Sequence, residues 1–372
     1  MSLKDIFSQD KPINILQRAF AADKVAHSYI FAGQEGIGKF TTASEWSKLL
    51  LCRNITKEQT NSQPFADSCG MCESCTLFDT GSHPDFALIY KELLEYTKDG
   101  KGKAPPVQLP IDVIREFLID KVSAKPTISD RKVYVISESE KLNIASQNAL
   151  LKVLEEPPEY CCIILLCTHL EKLLPTIKSR CQLVRFQLID EEKIVKRLES
   201  MGLDSKRSTY FARLGQGSLG LASQWAGLEL DEAGLYKTKK KLIQSIAGYE
   251  LKDALKLAGQ FQESGRKITS AWAKGEQNTS TSDIKRRALK TVIRVVISAL
   301  DDAMQMNLGN IKQMINFDQE QQIKRLSERF TAEESAEKIR DCYQTLRWID
   351  AAVNEKLIFE HLLLNLAFSA TM

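Results

Sequence analysis

The chain has 372 residues, of which 43% are hydrophobic and 27% are charged, and its formal net charge is only +3. This length predicts two or three domains, each with enough apolar side chains to bury a core. The small net charge disfavours a protein that wraps DNA around its whole surface, although local basic patches are compatible with it.

We find neither a membrane-spanning run nor a secretion signal in the sequence. No apolar stretch approaches the roughly 18 residues that a transmembrane helix needs. The first residues, MSLKDIFSQDK, lack the apolar core of a signal peptide. We therefore expect a cytoplasmic protein, in which cysteines stay reduced instead of forming disulfides.

A phosphate-binding loop is predicted in the segment 28–41, SYIFAGQEGIGKFT. Apolar residues at its start predict a buried strand, and Gly-x-x-x-x-Gly-Lys between a strand and a helix cradles phosphate groups. Glycines let backbone N–H groups converge on an anion, and the helix adds the positive end of its dipole. The predicted nucleotide-binding residues of this segment are Gly33, Gly36, Gly38, Lys39 and Thr41.

The position after the lysine departs from this motif. Active loops place Ser or Thr there to hold Mg²⁺, and this chain has Phe40. Thr41 cannot simply take over, because one helical step rotates a side chain by about 100°. The segment therefore predicts a nucleotide scaffold whose metal ligand is missing.

Four cysteines form a chained motif, Cys52-x16-Cys69-x2-Cys72-x2-Cys75. Four thiolates suit tetrahedral zinc and leave no open position, so a structural zinc site is favoured. An iron–sulfur cluster and four unrelated thiols stay open as alternatives. A second group lies in apolar surroundings and is expected to pack as small buried side chains, namely Cys161, Cys162, Cys167 and Cys181.

The end of another apolar strand, 133–136, departs from the ATPase pattern as well. In phosphate-loop ATPases such a strand ends in an Asp that helps to hold Mg²⁺, and a further residue positions the attacking water. Here Ser137 replaces the Asp, whereas Glu138 is retained. The departures at Phe40 and Ser137 fall on the same metal ion, which indicates that hydrolysis is not required of this chain.

Thr168 and His83 each have a structural and a functional interpretation. Thr168 follows the apolar strand 163–167, where it is placed either to sense a γ-phosphate or simply to cap the strand. His83 lies in the turn sequence GSHPD, and we expect a turn residue and not a metal ligand, because four cysteines already fill a tetrahedral shell.

The second half of the chain is predicted to be helical. Short helices are expected at 191–200, 205–214 and 218–227, and the chain reads as helix from about residue 232 onward. The lysine-rich run 237–241 predicts a solvated helix face, with contact to DNA phosphate as the alternative. A long amphipathic stripe is expected from residues spaced by three or four, namely Ile339, Cys342, Leu346, Ile349, Val353 and Leu357.

Five motifs in order resemble the AAA+ clamp-loader family of the bacterial DNA polymerase III holoenzyme, most closely its delta-prime subunits. They are HSYIFAGQEGIGK, the four-cysteine insert, GSHPD, NALLKVLEEPP and LLPTIKSRCQ, and the resemblance covers about residues 10–225. It implies an α/β AAA+ phosphate-loop module, with a parallel sheet and helices on both faces. The implied domains are a core at 1–187 with a zinc module at 52–75, a three-helix lid at 188–230 and an all-α collar at 231–372.

The resemblance also implies a role for Arg180, which lies in the family's Ser-Arg-Cys motif. There it is an arginine finger that reaches ATP held by a neighbouring subunit, and an ordinary solvated arginine is the alternative. Active relatives carry an arginine at the start of the third lid helix, where this chain has no basic residue in 217–221. The implied cofactors are structural Zn²⁺ and ATP or ADP bound without hydrolysis, unless Phe40 fills part of the nucleotide pocket.

The expected function is therefore that of a non-hydrolysing clamp-loader subunit without independent catalysis. The implied partners are other clamp-loader subunits in a hetero-pentameric ring, and through them the sliding clamp and primed DNA. The alternatives are an ATP-hydrolysing motor subunit of the gamma/tau type and a standalone zinc-bearing DNA-binding protein. The departures at Phe40 and Ser137 disfavour the first, and the modest net charge disfavours the second.

Overall fold

The computed structural model describes residues 2–59, 64–101, 106–230, 234–275, 279–351 and 353–367. The chain divides into two compact units, Met1–Ile189 and Asp190–Met372. Within the described ranges, no helix is both long enough and apolar enough to span a membrane. The finer division of the second unit into a lid and a collar stays a prediction.

The first unit is built on a five-stranded parallel sheet. Its spatial order is β4-β5-β6-β1-β7, and each neighbouring pair runs parallel. A separate antiparallel hairpin, β2 and β3, lies in the cysteine-bearing insert. The strands are β1 (Ser28–Ala32), β2 (Thr56–Gln59), β3 (Pro64–Asp67), β4 (Phe86–Ile89), β5 (Lys132–Ile136), β6 (Cys161–Cys167) and β7 (Gln182–Arg185).

Both faces of the parallel sheet are buried, which explains why its strands read as continuous apolar runs. Ile30 of β1 belongs to the core on one face, while Tyr29 and Phe31 belong to the core on the other. This alternation follows from the two-residue period of a strand. The cysteines of β6 and Cys181 are buried, as predicted from their apolar surroundings.

Helices connect the strands of the first unit. The α-helices are Asp10–Ala21, Lys39–Leu51, Glu73–Asp79, Ile144–Glu155 and Pro175–Arg180, and a further helical stretch comprises Ile111–Ile114, the π-helical Arg115–Ile119 and Asp120–Val122. Short 3-10 turns lie at Leu3–Asp5, Lys91–Tyr96, Ser139–Lys141 and Leu170–Lys172. The helix that the phosphate-loop motif predicts is present as Lys39–Leu51.

In the described residues the second unit is all helix. Its α-helices are Glu191–Ser200, Ser205–Gly215, Leu219–Leu230, Leu235–Ala247, Ala254–Gly275, Thr281–Asn307, Glu320–Arg329, Ala332–Asp350 and Glu355–Ala367. Short 3-10 turns lie at Leu251–Asp253, Ile311–Gln313 and Phe317–Gln319. The three predicted short helices are confirmed, with ends that differ by up to three residues.

The long apolar stripe predicted up to Leu357 is wrong in its second half. The helix that carries Cys342 ends at Asp350, and a new helix begins at Glu355. Because the helix is interrupted between these residues, Val353 and Leu357 do not lie on the buried face that carries Cys342. Val353 is 40% exposed and Leu357 is 59% exposed.

The prediction of a solvated lysine face is also wrong for Lys239. This side chain is fully buried and forms an ion pair with Asp318, which is buried as well. The Lys239 ammonium lies 4.5 Å from the ring centre of Tyr210 and 4.8 Å from that of Tyr236. The two aromatic faces and the carboxylate replace the water that a lysine normally keeps.

Candidate functional site

The phosphate loop joins β1 to the helix Lys39–Leu51, as its sequence predicts. Gly33, Gly36 and Gly38 have φ angles of +155°, +73° and +101°, which side chains rarely tolerate. A Cβ on Gly33 would also lie 2.6 Å from the Ile37 side chain. Glycine is therefore required by the backbone path, and the loop retains the geometry of an anion cradle at a helix N-terminus.

Gln9 supports this loop, a role that no motif in the sequence predicts. Its buried amide donates to the backbone oxygens of Ile37, at 3.0 Å, and Gln187, at 2.8 Å. The amide oxygen in turn accepts from the backbone N–H of Gln187. One side chain thus fixes the loop against the segment that follows β7.

Lys39 folds back onto the loop that it belongs to. Its ammonium donates to the carbonyl oxygens of Gly33 and Gln34, and the residue is only 8% exposed. Burial lowers the pKa of Lys39, while the carboxylates of Glu140 and Glu35 oppose that change. The positive charge that would contact a phosphate group therefore lies against the carbonyl oxygens of the loop itself.

The residues present do not fit a magnesium ion at this loop. Phe40 offers no oxygen and is 52% exposed, so it projects towards solvent and does not fill a closed pocket. The hydroxyl of Thr42 donates to the carbonyl of Gly38, at 2.9 Å, within its own helix. Thr41 is half-buried and has no hydrogen bond to the loop among the described contacts.

The end of β5 carries two acidic residues with different surroundings. Glu138 has φ +49°, a left-handed conformation, and its carboxylate pairs with Lys141. Glu140 accepts from the backbone N–H of Thr168, at 3.1 Å, and its charge acts on Lys39. The assignment of Glu138 to the nucleotide site stays a prediction, whereas Glu140 is the acid whose contacts link the tip of β6 to the phosphate loop.

Thr168 lies at the tip of β6, as expected, next to the strand that carries the loop. Its described contact to the site is the backbone N–H that donates to Glu140. Ser137 lies at the tip of β5 and is half-buried, with its backbone N–H donating to the Ile89 carbonyl at 2.9 Å. Neither supplies a carboxylate at the position where a metal-dependent ATPase needs one.

Arg180 lies at the C-terminus of the helix Pro175–Arg180, away from the groups that contact Lys39. Its Nη2 lies 2.8 Å from a carboxylate oxygen of Glu155, and its Nη1 donates to the Thr176 carbonyl at 3.1 Å. The side chain is 35% exposed. The Ser28 hydroxyl donates to the Arg180 carbonyl, at 2.8 Å, which ties its backbone to β1.

The four cysteines of the insert come together, although up to 16 residues separate neighbours in the chain. Their sulfur atoms all lie within 4.8 Å of one another. The Sγ atoms of Cys52 and Cys69 are 3.6 Å apart, and those of Cys69 and Cys75 are 4.0 Å apart. Sulfurs about 2.3 Å from a central zinc would be about 3.8 Å from each other, so the cluster has the size of a tetrahedral zinc site.

The surroundings of these thiols act on their ionisation in opposite directions. Burial raises the pKa of Cys52 and of Cys75. Burial opposes ionisation of Cys72 too, but the backbone N–H groups of Cys75 and Arg53 outweigh it and lower its pKa to about 6. Such N–H donors favour thiolate over thiol, and thiolate is the form that binds a metal.

Comparison with known families identifies the chain. A family model described as "DNA polymerase III, delta subunit" matches residues 8–190, and one described as "DNA polymerase III, delta subunit, C terminal" matches residues 281–367. This chain belongs to the family of DNA polymerase III clamp-loader subunits. The α/β phosphate-loop module with a parallel sheet, and the helical region that follows it, are confirmed by the structure.

Named relatives come from two branches of that family. The DNA polymerase III subunit delta' of Pseudomonas aeruginosa is 35% identical over 156 residues, which is 42% of either chain. The corresponding delta' subunit of Bacillus subtilis is 28% identical over 55% of this chain and 54% of its own. The subunit tau of Bacillus subtilis is 30% identical over 69% of this chain.

The matches span only part of the tau-type relatives, 37% of the Bacillus subtilis subunit and 29% of the tau/gamma subunit of Haemophilus influenzae. What those whole proteins do therefore does not follow for this chain. Among solved structures, the match to a gamma subunit-related protein from Thermotoga maritima spans 95% of this chain and 98% of that protein. Its TM-score is 0.40 at 16% identity.

Proposed function

We propose that this chain is a delta-prime-type, non-hydrolysing subunit of a replicative clamp loader. The observation that carries the proposal is a contrast, within one site, between the phosphate-binding residues that are present and the Mg²⁺-binding residues that are replaced. The phosphate loop keeps its three glycines with positive φ and Lys39, yet Phe40 replaces the hydroxyl and Ser137 replaces the carboxylate that would hold Mg²⁺. Loss of a positioned metal ion removes several kcal/mol of stabilisation from phosphoryl transfer.

The absence of a basic residue at 217–221 supports the same interpretation. This segment leads into the helix Leu219–Leu230, where active relatives carry an arginine. We infer that the loop accepts ATP or ADP through its glycines and Lys39 without hydrolysis. Lys39 would first have to leave the carbonyls of Gly33 and Gln34, which makes nucleotide binding weaker than in a loop with a free lysine.

The chemical contribution of the chain, in this proposal, is Arg180. A guanidinium donates a rigid fork of N–H groups to phosphate oxygens and is able to act across a subunit interface. The position of Arg180 fits this role because its backbone is anchored to Ser28 while its side chain is partly exposed. The partners would be the motor subunits of a hetero-pentameric ring, and through them the sliding clamp and primed DNA.

The insert is proposed to hold a structural zinc ion through Cys52, Cys69, Cys72 and Cys75. The size of the sulfur cluster and its N–H donors support this assignment. Zinc would cross-link this polar insert, because its hairpin of β2 and β3 buries few apolar side chains of its own. Four thiolates leave no position for a reacting water, so no catalytic step is assigned to the metal.

The decisive experiment is ATPase measurement on a reconstituted clamp loader that contains either wild-type chain or Arg180→Ala. We expect the variant to assemble normally and to lower the DNA-stimulated ATPase, because an arginine finger contributes about 10³-fold or more at the site that it completes. Arg185→Ala is the matched control, since Arg185 is an exposed arginine five residues away in β7. Equal rates for wild type and Arg180→Ala would overturn the finger assignment.

A further inference from the structure

A chain of hydrogen bonds between buried polar groups lies beside the cysteine cluster. His83 is 5% exposed and Ser74 is 1% exposed, although histidine and serine are usually found at surfaces. The Nε2 atom of His83 lies 2.9 Å from the Ser74 hydroxyl and 3.3 Å from the Ser129 hydroxyl. The Ser74 hydroxyl in turn donates to the carbonyl of Leu51 at 2.6 Å.

The hydrogen bonds fix the protonation of the imidazole. The backbone N–H of Asp85 donates to Nδ1 of His83 at 3.0 Å, so Nδ1 carries a lone pair. In a neutral ring the proton then lies on Nε2, which points at Ser74. Burial lowers the pKa of His83 and keeps the ring neutral. The hydrogen bonds therefore all run in one direction, from the Asp85 N–H through His83 and Ser74 to the Leu51 carbonyl.

The last two members of this hydrogen-bonded chain are covalently next to metal-site cysteines. Ser74 precedes Cys75, and the Leu51 carbonyl belongs to the peptide group that continues into Cys52. These are the two buried cysteines of the cluster, whereas Cys69 and Cys72 are half-buried. A shift of either backbone segment would move a sulfur atom relative to the other three.

A second hydroxyl strengthens the same point. Ser129 donates to the Leu51 carbonyl at 2.8 Å, so this carbonyl at the C-terminus of the helix Lys39–Leu51 accepts two hydrogen bonds. The backbone N–H of Ser129 donates to the buried carboxylate of Asp85 at 2.9 Å. Three segments distant in the chain thus meet at one carbonyl, directly beside the cluster.

We propose that His83 is a positioning residue of the four-cysteine metal centre, which it supports through Ser74 without contacting the metal. This inference rests on the zinc site proposed above. Residues outside the ligand shell typically change metal affinity by about 10- to 100-fold when they are removed. A purely structural role for His83 predicts something different, namely equal loss of stability with and without metal.

The test compares the full-length wild type with His83→Ala and His83→Gln after purification with zinc. Zinc content is measured by mass spectrometry, and zinc release to excess EDTA is followed with a metal-binding dye. We expect one zinc ion per wild-type chain and release at least about 10-fold faster from His83→Ala. His83→Gln, whose amide places an N–H donor near the position of Nε2, should recover most of the difference.

The matched control is His169→Ala, since the His169 side chain is 53% exposed and pairs only with Glu171 among its described contacts. Its zinc release should equal that of wild type. Ser74→Ala removes the middle of the chain and should give the same fast release, which keeps the proposal testable if His83→Ala does not fold. Unfolding midpoints with and without zinc complete the set, and the stabilisation by zinc should shrink in His83→Ala.

The outcomes separate the two proposals. A wild-type chain that purifies without zinc would overturn the metal site, and this inference with it. A zinc-loaded wild type, together with unchanged zinc release from His83→Ala and Ser74→Ala, would overturn the role of His83 alone. A parallel drop of the zinc-bound and zinc-free midpoints, at unchanged release, would assign His83 to the fold only.

Discussion

The guanidinium of Arg180 lies 2.8 Å from a carboxylate oxygen of Glu155, the last residue of the helix Ile144–Glu155. Both side chains are partly exposed, at 35% and 49%. Ion pairs with this much water contact contribute about 0.2–1 kcal/mol to stability. The proposed finger can therefore be removed with little effect on folding, which makes it suitable for functional tests.

We predict that Arg180→Ala changes the free energy of unfolding by less than about 1 kcal/mol. Urea unfolding of the isolated chain measures this change. Asp85→Ala provides the contrast, because the buried Asp85 carboxylate accepts three backbone N–H groups and its loss should cost more than about 2 kcal/mol. A large effect of Arg180→Ala would mean that its functional defect reports on folding.

We predict that the isolated chain does not turn over ATP, with or without primed DNA. Phe40→Thr should not restore turnover, because Ser137 still lacks the carboxylate that orders the metal. Steady-state ATPase assays on wild type, Phe40→Thr and Lys39→Ala measure this. Turnover that disappears in Lys39→Ala would instead identify a motor subunit. Calorimetric titration with ATP tests the weaker claim that nucleotide still binds.

We predict that metal removal exposes four thiols and no more. In the zinc-bound protein the cluster cysteines should resist alkylation, and after EDTA treatment Cys52, Cys69, Cys72 and Cys75 should react. The remaining thiols should stay unreactive in the folded chain, because burial raises the pKa of each, and they are Cys161, Cys162, Cys167, Cys181 and Cys342. Mass spectrometry counts the modified sites, and reaction of all four cluster thiols before EDTA would contradict the metal assignment.

We predict that Asp318→Ala destabilises the second unit by about 3–5 kcal/mol, because it leaves the charge of Lys239 buried without its partner. The matched control is Glu263→Ala, which breaks the exposed pair between Lys267 and Glu263 and should leave the free energy of unfolding almost unchanged. Urea unfolding compares the two. Similar small effects in both variants would show that Lys239 is hydrated or neutral in solution.

A pH dependence is expected from Asp302 in the helix Thr281–Asn307. Burial raises the pKa of Asp302 from 3.8 to about 6, although backbone N–H groups of Ile315 and Asn316 oppose the shift. The folded state therefore binds a proton more tightly than the unfolded state. Its stabilising contribution is complete below about pH 4 and is lost as pH rises through 6, by about 3 kcal/mol in total.

Urea unfolding of wild type and Asp302→Asn between pH 4.5 and 7.5 tests this dependence. Because the variant cannot ionise at this position, its free energy of unfolding should fall less than that of wild type as the pH rises. Curves that run parallel across this range would contradict the raised pKa. Titrating groups that do not interact with Asp302 contribute equally to both proteins and cancel in the comparison.

The sheet and the phosphate loop could be predicted because their signals are local. Apolar runs mark the buried strands, and the glycine spacing marks the loop in one short segment. The hairpin was missed because β2, with the sequence TKEQ, has no apolar alternation. Its register depends on the cysteine-bearing insert around it, which no local pattern describes.

Two side-chain arrangements could not be predicted from residue spacing, and they have a common physical origin. Lys239 is buried because Asp318, 79 positions further along the chain, lies against it. Glu140 reaches Thr168 because the left-handed turn at Glu138 redirects the chain after β5. Such long-range pairings and backbone reversals are decided by packing and not by residue spacing.

Phe40 lies in the first turn of the helix after the phosphate loop, and Ser137 lies at the tip of β5, so the two positions belong to separate segments of the chain. A single substitution therefore supplies only one of the two groups that a bound Mg²⁺ would need. Engineering of an ATPase from this chain would require both positions to be changed together.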